Sequence, residues 1–363
     1  MSVEASEPAP ATSRADDANA LARRWAELRA DQPKLRIRDA ATTLGVSEGA
    51  LVASRTGDTV VRLRPDWPAL LGGLGALGAV MALTRNENAV HEKTGVYPKP
   101  EVFGAMGQFV SEAIDLRLFL SRWRSVYALD ESKEGGRKSL TVFDVNGTAA
   151  HKVFLTDASD AGAYGALVAA LSADDQAPGE RFEPVIAPPP DKPDAEVDTA
   201  GFVAAWDAMR DTHELHGLMR RFGISRVQAL RLAGLERARR VATSSLRAVL
   251  EAAAGTGQRI MVFVGSPGVI QIHTGPVKRI VPTGPWINVL DDDFNLHARQ
   301  DGIATAWVVK KPTIDGIVTS LELYDATGTT IALLFGARKP GKPEDPAWRA
   351  IVDGLATLAP EPA

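Results

Sequence analysis

The spacing of apolar and polar positions changes period part-way along this chain. From Asp198 to Gly234 the pattern is helical: Phe202, Trp206, Met209, His213 and His216 recur at steps of four, three, four and three. That is one face of a 3.6-residue turn. Helices are predicted at Asp198–Arg221, Ser225–Leu232 and Arg237–Ala254, with Ser225 placed as an N-cap. Beyond them come short runs rich in Val and Ile, separated by Gly, Pro or Asp. Arg259–Val264, Val269–His273, Val277–Val281, Ala304–Lys310, Val318–Tyr324 and Ile331–Phe335 read as strands.

The first half repeats this order. Helices are predicted at Ala18–Arg29, after the N-cap Ser47, and at Trp67–Ala79. Val80–Gly95 (V-M-A-L-T-R-N-E-N-A-V-H-E-K-T-G) aligns with Ile260–Gly275 (I-M-V-F-V-G-S-P-G-V-I-Q-I-H-T-G) at an offset of 180 residues without a gap. Trp25 matches Trp206, and Tyr127 matches Trp307. Asp144-Val145-Asn146-Gly147 and Asp325-Ala326-Thr327-Gly328 read as hairpin turns. A period this long means duplicated domains rather than a solenoid. The predicted fold is α+β, a tandem duplication in which each half has N-terminal helices followed by a large antiparallel β-sheet. The expected layout is a disordered lead-in at 1–18, a first repeat at 19–175, a proline-rich linker at 176–199 and a second repeat at 200–363.

Composition narrows the class. With 45% hydrophobic and 24% charged residues the chain reads as an ordinary globular protein. A formal charge of −4 argues against nucleic-acid binding through bulk electrostatics. The lack of cysteine excludes disulfides, thiolate haem ligation, and cysteine-held iron–sulfur or zinc sites. Residues 1–18 hold no apolar export segment. The longest uncharged run, Trp67 to Thr84, is too short for a membrane span and is interrupted by Gly72, Gly73, Gly75 and Gly78. These features predict a cytoplasmic protein without membrane insertion.

Candidate chemistry centres on histidine and arginine. His213 on an apolar helix face suits an iron porphyrin, which takes one axial nitrogen and an apolar wall; the same pattern serves a core histidine with an internal hydrogen bond. His216 lies nearly on that face, and His91 stands on a strand after the Asn86-Glu87-Asn88 turn, so spacing leaves both as alternative ligands. The H-E-L-H run is one residue short of the H-E-x-x-H zinc motif. In D-L-R-L-F-L, Leu116, Leu118 and Leu120 point one way and Asp115, Arg117 and Phe119 the other. Arg117 can therefore reach into a pocket and donate to a ligand on iron, or pair with Asp115 at the sheet surface. Arg226, Lys310-Lys311 and Arg338-Lys339 are cations suited to carboxylates. The counterpart of His213 in the first half is Gln32, and that of Arg117 is His297, which favours one asymmetric site. Neither a dinucleotide nor a flavin fingerprint is present.

Several longer stretches carry a resemblance: R-N-E-N-A-V-H-E-K-T-G, D-L-R-L-F-L, D-T-H-E-L-H, I-Q-I-H-T-G-P-V-K, G-P-W-I-N-V-L-D-D-D-F-N-L-H and W-V-V-K-K-P-T-I-D-G-I-V-T-S-L-E-L-Y-D. Together they resemble the bacterial haemin-degrading factor family, the cytoplasmic haem-trafficking proteins of haem-uptake operons (the HemS/HmuS group). The resemblance implies helices on large antiparallel sheets with haem b in a cleft. It implies His213 as the proximal iron ligand, Arg117 on the distal side, and propionate contacts from Arg226, Lys311 and Arg338. Family members often carry Tyr and Gln near the last of these, where this chain has Phe335 and Ala337. His216 replaces what is commonly an aromatic residue. The implied function is haem binding in haem uptake and iron acquisition, with the alternative of a reductant-dependent, haem oxygenase-like enzyme. The implied partners are haem, an inner-membrane haem importer or a downstream acceptor, and an external electron donor if the protein is an enzyme.

Overall fold

Side-chain caps fix where the helices start. Ser47 accepts from the Ala50 N–H at 3.1 Å, and Ser225 accepts from the Gln228 N–H at 3.2 Å, as their positions predict. The computed structural model describes residues 14–132, 135–339 and 341–358. The expected lead-in at 1–18 lies outside these up to residue 13, and residues 14–18 already belong to the first helix.

The chain opens with α1 (Arg14–Asp31), α2 (Ile37–Leu44) and α3 (Glu48–Ala53), then β1 (Val60–Leu63) and α4 (Trp67–Gly73). Next come β2 (Gly78–Arg85), β3 (Ala89–Val96), β4 (Glu101–Phe103), β5 (Met106–Phe109) and β6 (Asp115–Phe119). β7 (Trp123–Asp130), β8 (Lys138–Asp144) and β9 (Ala149–Ser159) lead to α5 (Ala161–Leu171). The order then recurs: α6 (Thr199–Asp207), α7 (Glu214–Phe222), α8 (Arg226–Leu232), β10 (Ala238–Val241) and α9 (Ser245–Thr256). After them run β11 (Ile260–Gly265), β12 (Val269–Gly275), β13 (Ile280–Thr283), β14 (Trp286–Leu290) and β15 (Phe294–Arg299). β16 (Thr305–Thr313), β17 (Gly316–Tyr324), β18 (Thr330–Gly336) and α10 (Pro346–Asp353) close the chain. The duplication and the α+β class are both present.

Two compact units form. Among the described residues, the first takes 14–77 with Arg122–Val185, and the second takes Gly78–Ser121 with the residues from Ile186 to 358. In the first, strands run in the order β1-β7-β8-β9, all antiparallel. Val52, Val60, Tyr127, Leu129 and Phe143 make its core. The second unit holds a nine-stranded antiparallel sheet, β10-β16-β17-β18-β11-β12-β6-β5-β4, and five further strands in the order β2-β3-β15-β14-β13. Inside it, strands are exchanged between the sequence repeats: β6 pairs with β12, and β15 pairs with β3. One face of the nine-stranded sheet packs Val262, Val264, Leu321, Leu323 and Leu334 against Leu246, Val249 and Leu250 of α9 and Trp348 of α10. Gly336 allows that approach, because a Cβ there would meet Trp348 at 2.6 Å.

Four predicted elements differ. The helix expected at Trp67–Ala79 ends at Gly73, and Gly78 and Ala79 already belong to β2. The helix expected at Asp198–Arg221 is two helices, broken at residues 208–213. Asp211 Oδ1 accepts from the His213 N–H at 2.7 Å, and Glu214 Oε1 accepts from the Arg210 N–H at 3.1 Å. These side chains take donors that a continuous helix would use, and a new helix starts there. The helix expected at Arg237–Ala254 begins as strand β10, because Ala238–Val241 pair with Ala306–Val309 of β16. The strand expected at Val277–Val281 starts only at Ile280, and the unpredicted β14 and β15 follow it.

Candidate functional site

The open face of the nine-stranded sheet carries the candidate site. The register aligns Lys311 with Val318, Ser320 with Phe335, and Glu322 with Leu333. It continues with Phe335 on Met261, Leu333 on Phe263, Met261 on Thr274 and Ile270 on Arg117. Directly paired side chains share a face, so all of these project to one side. Met261, Phe263, Leu333, Phe335 and Ile270 are only half-buried, whereas the core-facing positions between them are fully buried. Phe263 and Phe335 meet edge to face, with ring centroids 5.1 Å apart. The result is an apolar floor with part of its area open. From β18 to β6 it spans three strand spacings, roughly 14 Å.

His213 stands in the break between α6 and α7. Its Nδ1 lies 2.6 Å from Asp211 Oδ1, while its side chain is 94% exposed. Nε2 is the nitrogen left out of that contact. A carboxylate on one imidazole nitrogen is how a ligating histidine is commonly oriented. Two bonds fix this loop along β16: Trp206 Nε1 donates to the Lys310 carbonyl at 3.0 Å, and Ile314 N–H donates to the Arg210 carbonyl at 3.0 Å. The His213 backbone N–H, foremost, and then its ring hold the Asp211 carboxyl below its usual range, and Arg338 adds to the effect. Asp211 thus places His213 and Arg338 in one neighbourhood. The predicted helix face ends at Met209, since Phe202, Trp206 and Met209 are buried and His213 is not.

The three predicted cations fall on or beside this face. Arg338 pairs with Asp315 at 3.9 Å, and its buried Nη1 has no hydrogen-bond partner among the described residues. Lys311 is buried, with Nζ 5.3 Å from the Phe335 ring centre and 3.4 Å from Ser320 Oγ. It donates to Glu322 Oε1. Arg226 grips the same carboxylate, with Nη2 at 2.8 Å from both oxygens and Nε at 3.1 Å from Oε2. Tyr324 also donates to Glu322. Burial alone would raise the Glu322 carboxyl, but Arg226 and Lys311 hold it well below the usual range. Burial pulls the Lys311 ammonium down to about 8, against the attraction of Glu322. Two cations thus share one fully buried carboxylate.

Arg117 projects from β6 on the side opposite buried Leu116 and Leu118, as the alternation predicts. It donates to Asp115 and is 37% exposed. It comes from the first sequence repeat yet stands in the same unit as His213. His216 is exposed on α7. His91 is fully buried on β3, its ring 4.9 Å from that of Phe294. Among the described residues no group of three His, Asp or Glu side chains could hold a bare metal ion, and no helix is long and apolar enough to cross a membrane. Asp211, Glu322 and Phe263 are site residues that the sequence did not single out. D-T-H-E resembles a capping box, and α7 does start within it, at Glu214. Nothing local distinguishes Glu322 from an ordinary solvent-facing strand glutamate.

Comparison with known proteins shows which family the chain resembles. Residues 45–171 and 223–355 each match the haemin-degrading HemS.ChuX domain. The hemin transport protein HmuS of Yersinia pestis is 40% identical over 331 residues, covering 91% of this chain and 95% of that protein. The holo form of PhuS, a heme-binding protein from Pseudomonas aeruginosa, superposes with a TM-score of 0.92 at 50% identity, covering 94% of this chain and 99% of that one. The heme-degrading enzyme ChuS of Escherichia coli O157:H7 superposes with a TM-score of 0.86 at 36% identity, covering 93% and 99%.

Proposed function

This chain belongs to the haemin-degrading HemS.ChuX family, and from that membership we propose that it binds one haem b on the open sheet face and carries it in haem uptake. The observation that supports this is the half-buried apolar floor of Met261, Phe263, Leu333 and Phe335, with Lys311 over Phe335 and an oriented imidazole in the loop held along β16. An apolar macrocycle is stabilised on such a floor by roughly 25 cal/mol per Å² buried. His213 Nε2, left open while Asp211 holds Nδ1, would hold the iron. The Arg338 guanidinium and the Lys311 ammonium would hold the propionates. The high exposure of His213 suits a carrier, since a ligand at an open edge can be accepted and handed on. The donor would be an inner-membrane importer and the recipient a later haem protein, with the chain working in the cytoplasm.

A second reading is reductant-dependent haem breakdown, favoured by Arg117 on the same sheet face and by the 36% identity to ChuS. Bound iron would supply the redox chemistry, with electrons from an external donor. This chain's own contribution would be the Arg117 guanidinium, held through one nitrogen by Asp115, with donors left for a ligand on the floor.

The test is His213→Ala with haemin. Loss of the axial-nitrogen spectrum, with haemin still retained by the apolar floor, is expected. An unchanged Soret and visible spectrum would move the ligand to His216 or His91. Ring-opened products from the wild type, with physiological reductant and peroxide scavenged, would favour breakdown; none would favour carriage.

A further inference from the structure

We propose that Glu322 is the positioning residue of the cationic end of the site: it aims the Lys311 ammonium at a ligand carboxylate and keeps it charged, with Arg226 and Tyr324 clamping it from behind. The ligand's identity rests on the haem reading, whereas the geometry stands on this chain alone. Glu322 is fully buried, and both of its oxygens are occupied. Oε1 receives Lys311, the Ser320 hydroxyl at 2.9 Å and Arg226 Nη2; Oε2 receives Tyr324 and Arg226 Nε and Nη2. Arg226 therefore spends its Nε and Nη2 donors on Glu322 and acts on a ligand mainly through it. Lys311 has only Ser320 and Glu322 as hydrogen-bond partners among the described residues, which leaves donor capacity toward the Phe335 side of the floor.

Charge counting points the same way. Arg226 and Lys311 against Glu322 leave one buried positive charge in excess, and a buried charge demands a partner. An incoming carboxylate supplies it. Removing Glu322 instead puts two cations side by side in a site that already disfavours charge on Lys311. The charged and titratable groups acting on Lys311 are Glu322 of β17, next to Tyr324, and Arg226 of α8; β18 presents only the Phe335 ring. Without Glu322 the remaining influences, burial and Arg226, both push the ammonium toward its neutral form.

The experiment is a titration of Lys311 in the ligand-free protein. Lysines are ¹³C-methylated and followed by NMR, and the Lys311 resonance is assigned by its absence in Lys311→Arg. In the wild type it should titrate near the value of about 8 set by its surroundings. In Glu322→Gln it should move down by about one pH unit or more. A merely structural role would loosen the site and let Lys311 rise toward its ordinary value, so the direction decides. An unchanged or raised value overturns the proposal. If Glu322→Gln does not fold, Arg226→Gln decides: with the competing cation gone, Lys311 should titrate about one unit higher, and no movement overturns the proposal. The haem-bound arm uses haemin binding between pH 6 and 8. Affinity in Glu322→Gln should fall about tenfold more steeply than in the wild type, and Lys311→Arg/Glu322→Gln should remove that fall, since arginine stays charged. Equal profiles in wild type and Glu322→Gln overturn the proposal. Failure of the wild type to bind haemin would sink the haem reading alone, and the ligand-free titration would still decide the role of Glu322.

Discussion

Replacing His273 by glutamine should flatten the acid limb of this protein's stability curve. His273 is 3% exposed on β12. Its ring stacks on Phe294 at 3.8 Å with a 4° tilt, and Lys93 Nζ lies 3.4 Å from Nδ1. Lys93 is itself buried and paired with Asp293 at 2.6 Å. Burial first, and the Lys93 charge second, lower the imidazole from 6.5 to about 4. The folded group therefore stays neutral down to about 4, while the unfolded group takes up its proton near 6.5. Between these values the unfolded state binds more protons, so stability falls as pH falls. One proton is worth about 1.4 kcal/mol per pH unit, which accumulates to roughly 2 kcal/mol between pH 7 and pH 5. Glutamine does not titrate. It also forfeits the stacked ring, about 1 kcal/mol, so the variant should be less stable at pH 7 and lose that disadvantage as pH falls. Buried His151, also kept neutral by burial, is common to both proteins and cancels in the difference. The assay is urea unfolding at pH 7, 6 and 5, followed by tryptophan fluorescence. A stability difference that stays constant across that range would refute the reasoning.

Two further outcomes follow from single side chains. Arg117→Ala should hold haemin within roughly tenfold of wild-type affinity, about 1.4 kcal/mol, because the half-exposed guanidinium is already occupied by Asp115; a much larger loss in a Soret titration would make Arg117 a main anchor. Asn86→Ala should cost about 2–3 kcal/mol, read as a lowered urea midpoint. Asn86 donates to the Gly265 and Ile331 carbonyls at 3.2 and 2.9 Å and accepts from the Asn88 and Ala89 N–H groups at 3.0 and 2.9 Å, and a midpoint equal to wild type would contradict that role.

Local signals were legible where local physics decides. Serine caps, the Leu116–Leu118 alternation and the Asp-Gly turns all match their elements, because each depends on a few neighbouring residues. The helix break before His213 was written in D-T-H-E, but apolar periodicity ran through it and hid the competing side-chain bonds. Strand β10 was hidden for a different reason: its partners lie about seventy residues away on β16, and a distant pairing overrides helix propensity. The burial of Glu322 is likewise a product of Arg226 and Lys311 arriving from other elements.

The duplication gives one last constraint on the asymmetry of the chain. Lys93 and His273 are equivalent positions of the two repeats, separated by 180 residues, and their side chains meet at 3.4 Å. Equivalent residues that touch must lie where the repeats face each other, so an undiverged pair there would be one residue type against itself. Two buried lysines would set like charges side by side, with Asp293 able to answer only one of them. One lysine and one neutral imidazole remove that conflict: Lys93 keeps its charge with Asp293, and His273 offers Nδ1 as an acceptor. The same release from symmetry leaves Gln32 and His297 opposite His213 and Arg117 in the alignment. The exchanged β6 then carries Arg117 out of its own repeat and into the unit that holds His213, so a chain written twice can assemble one site instead of two.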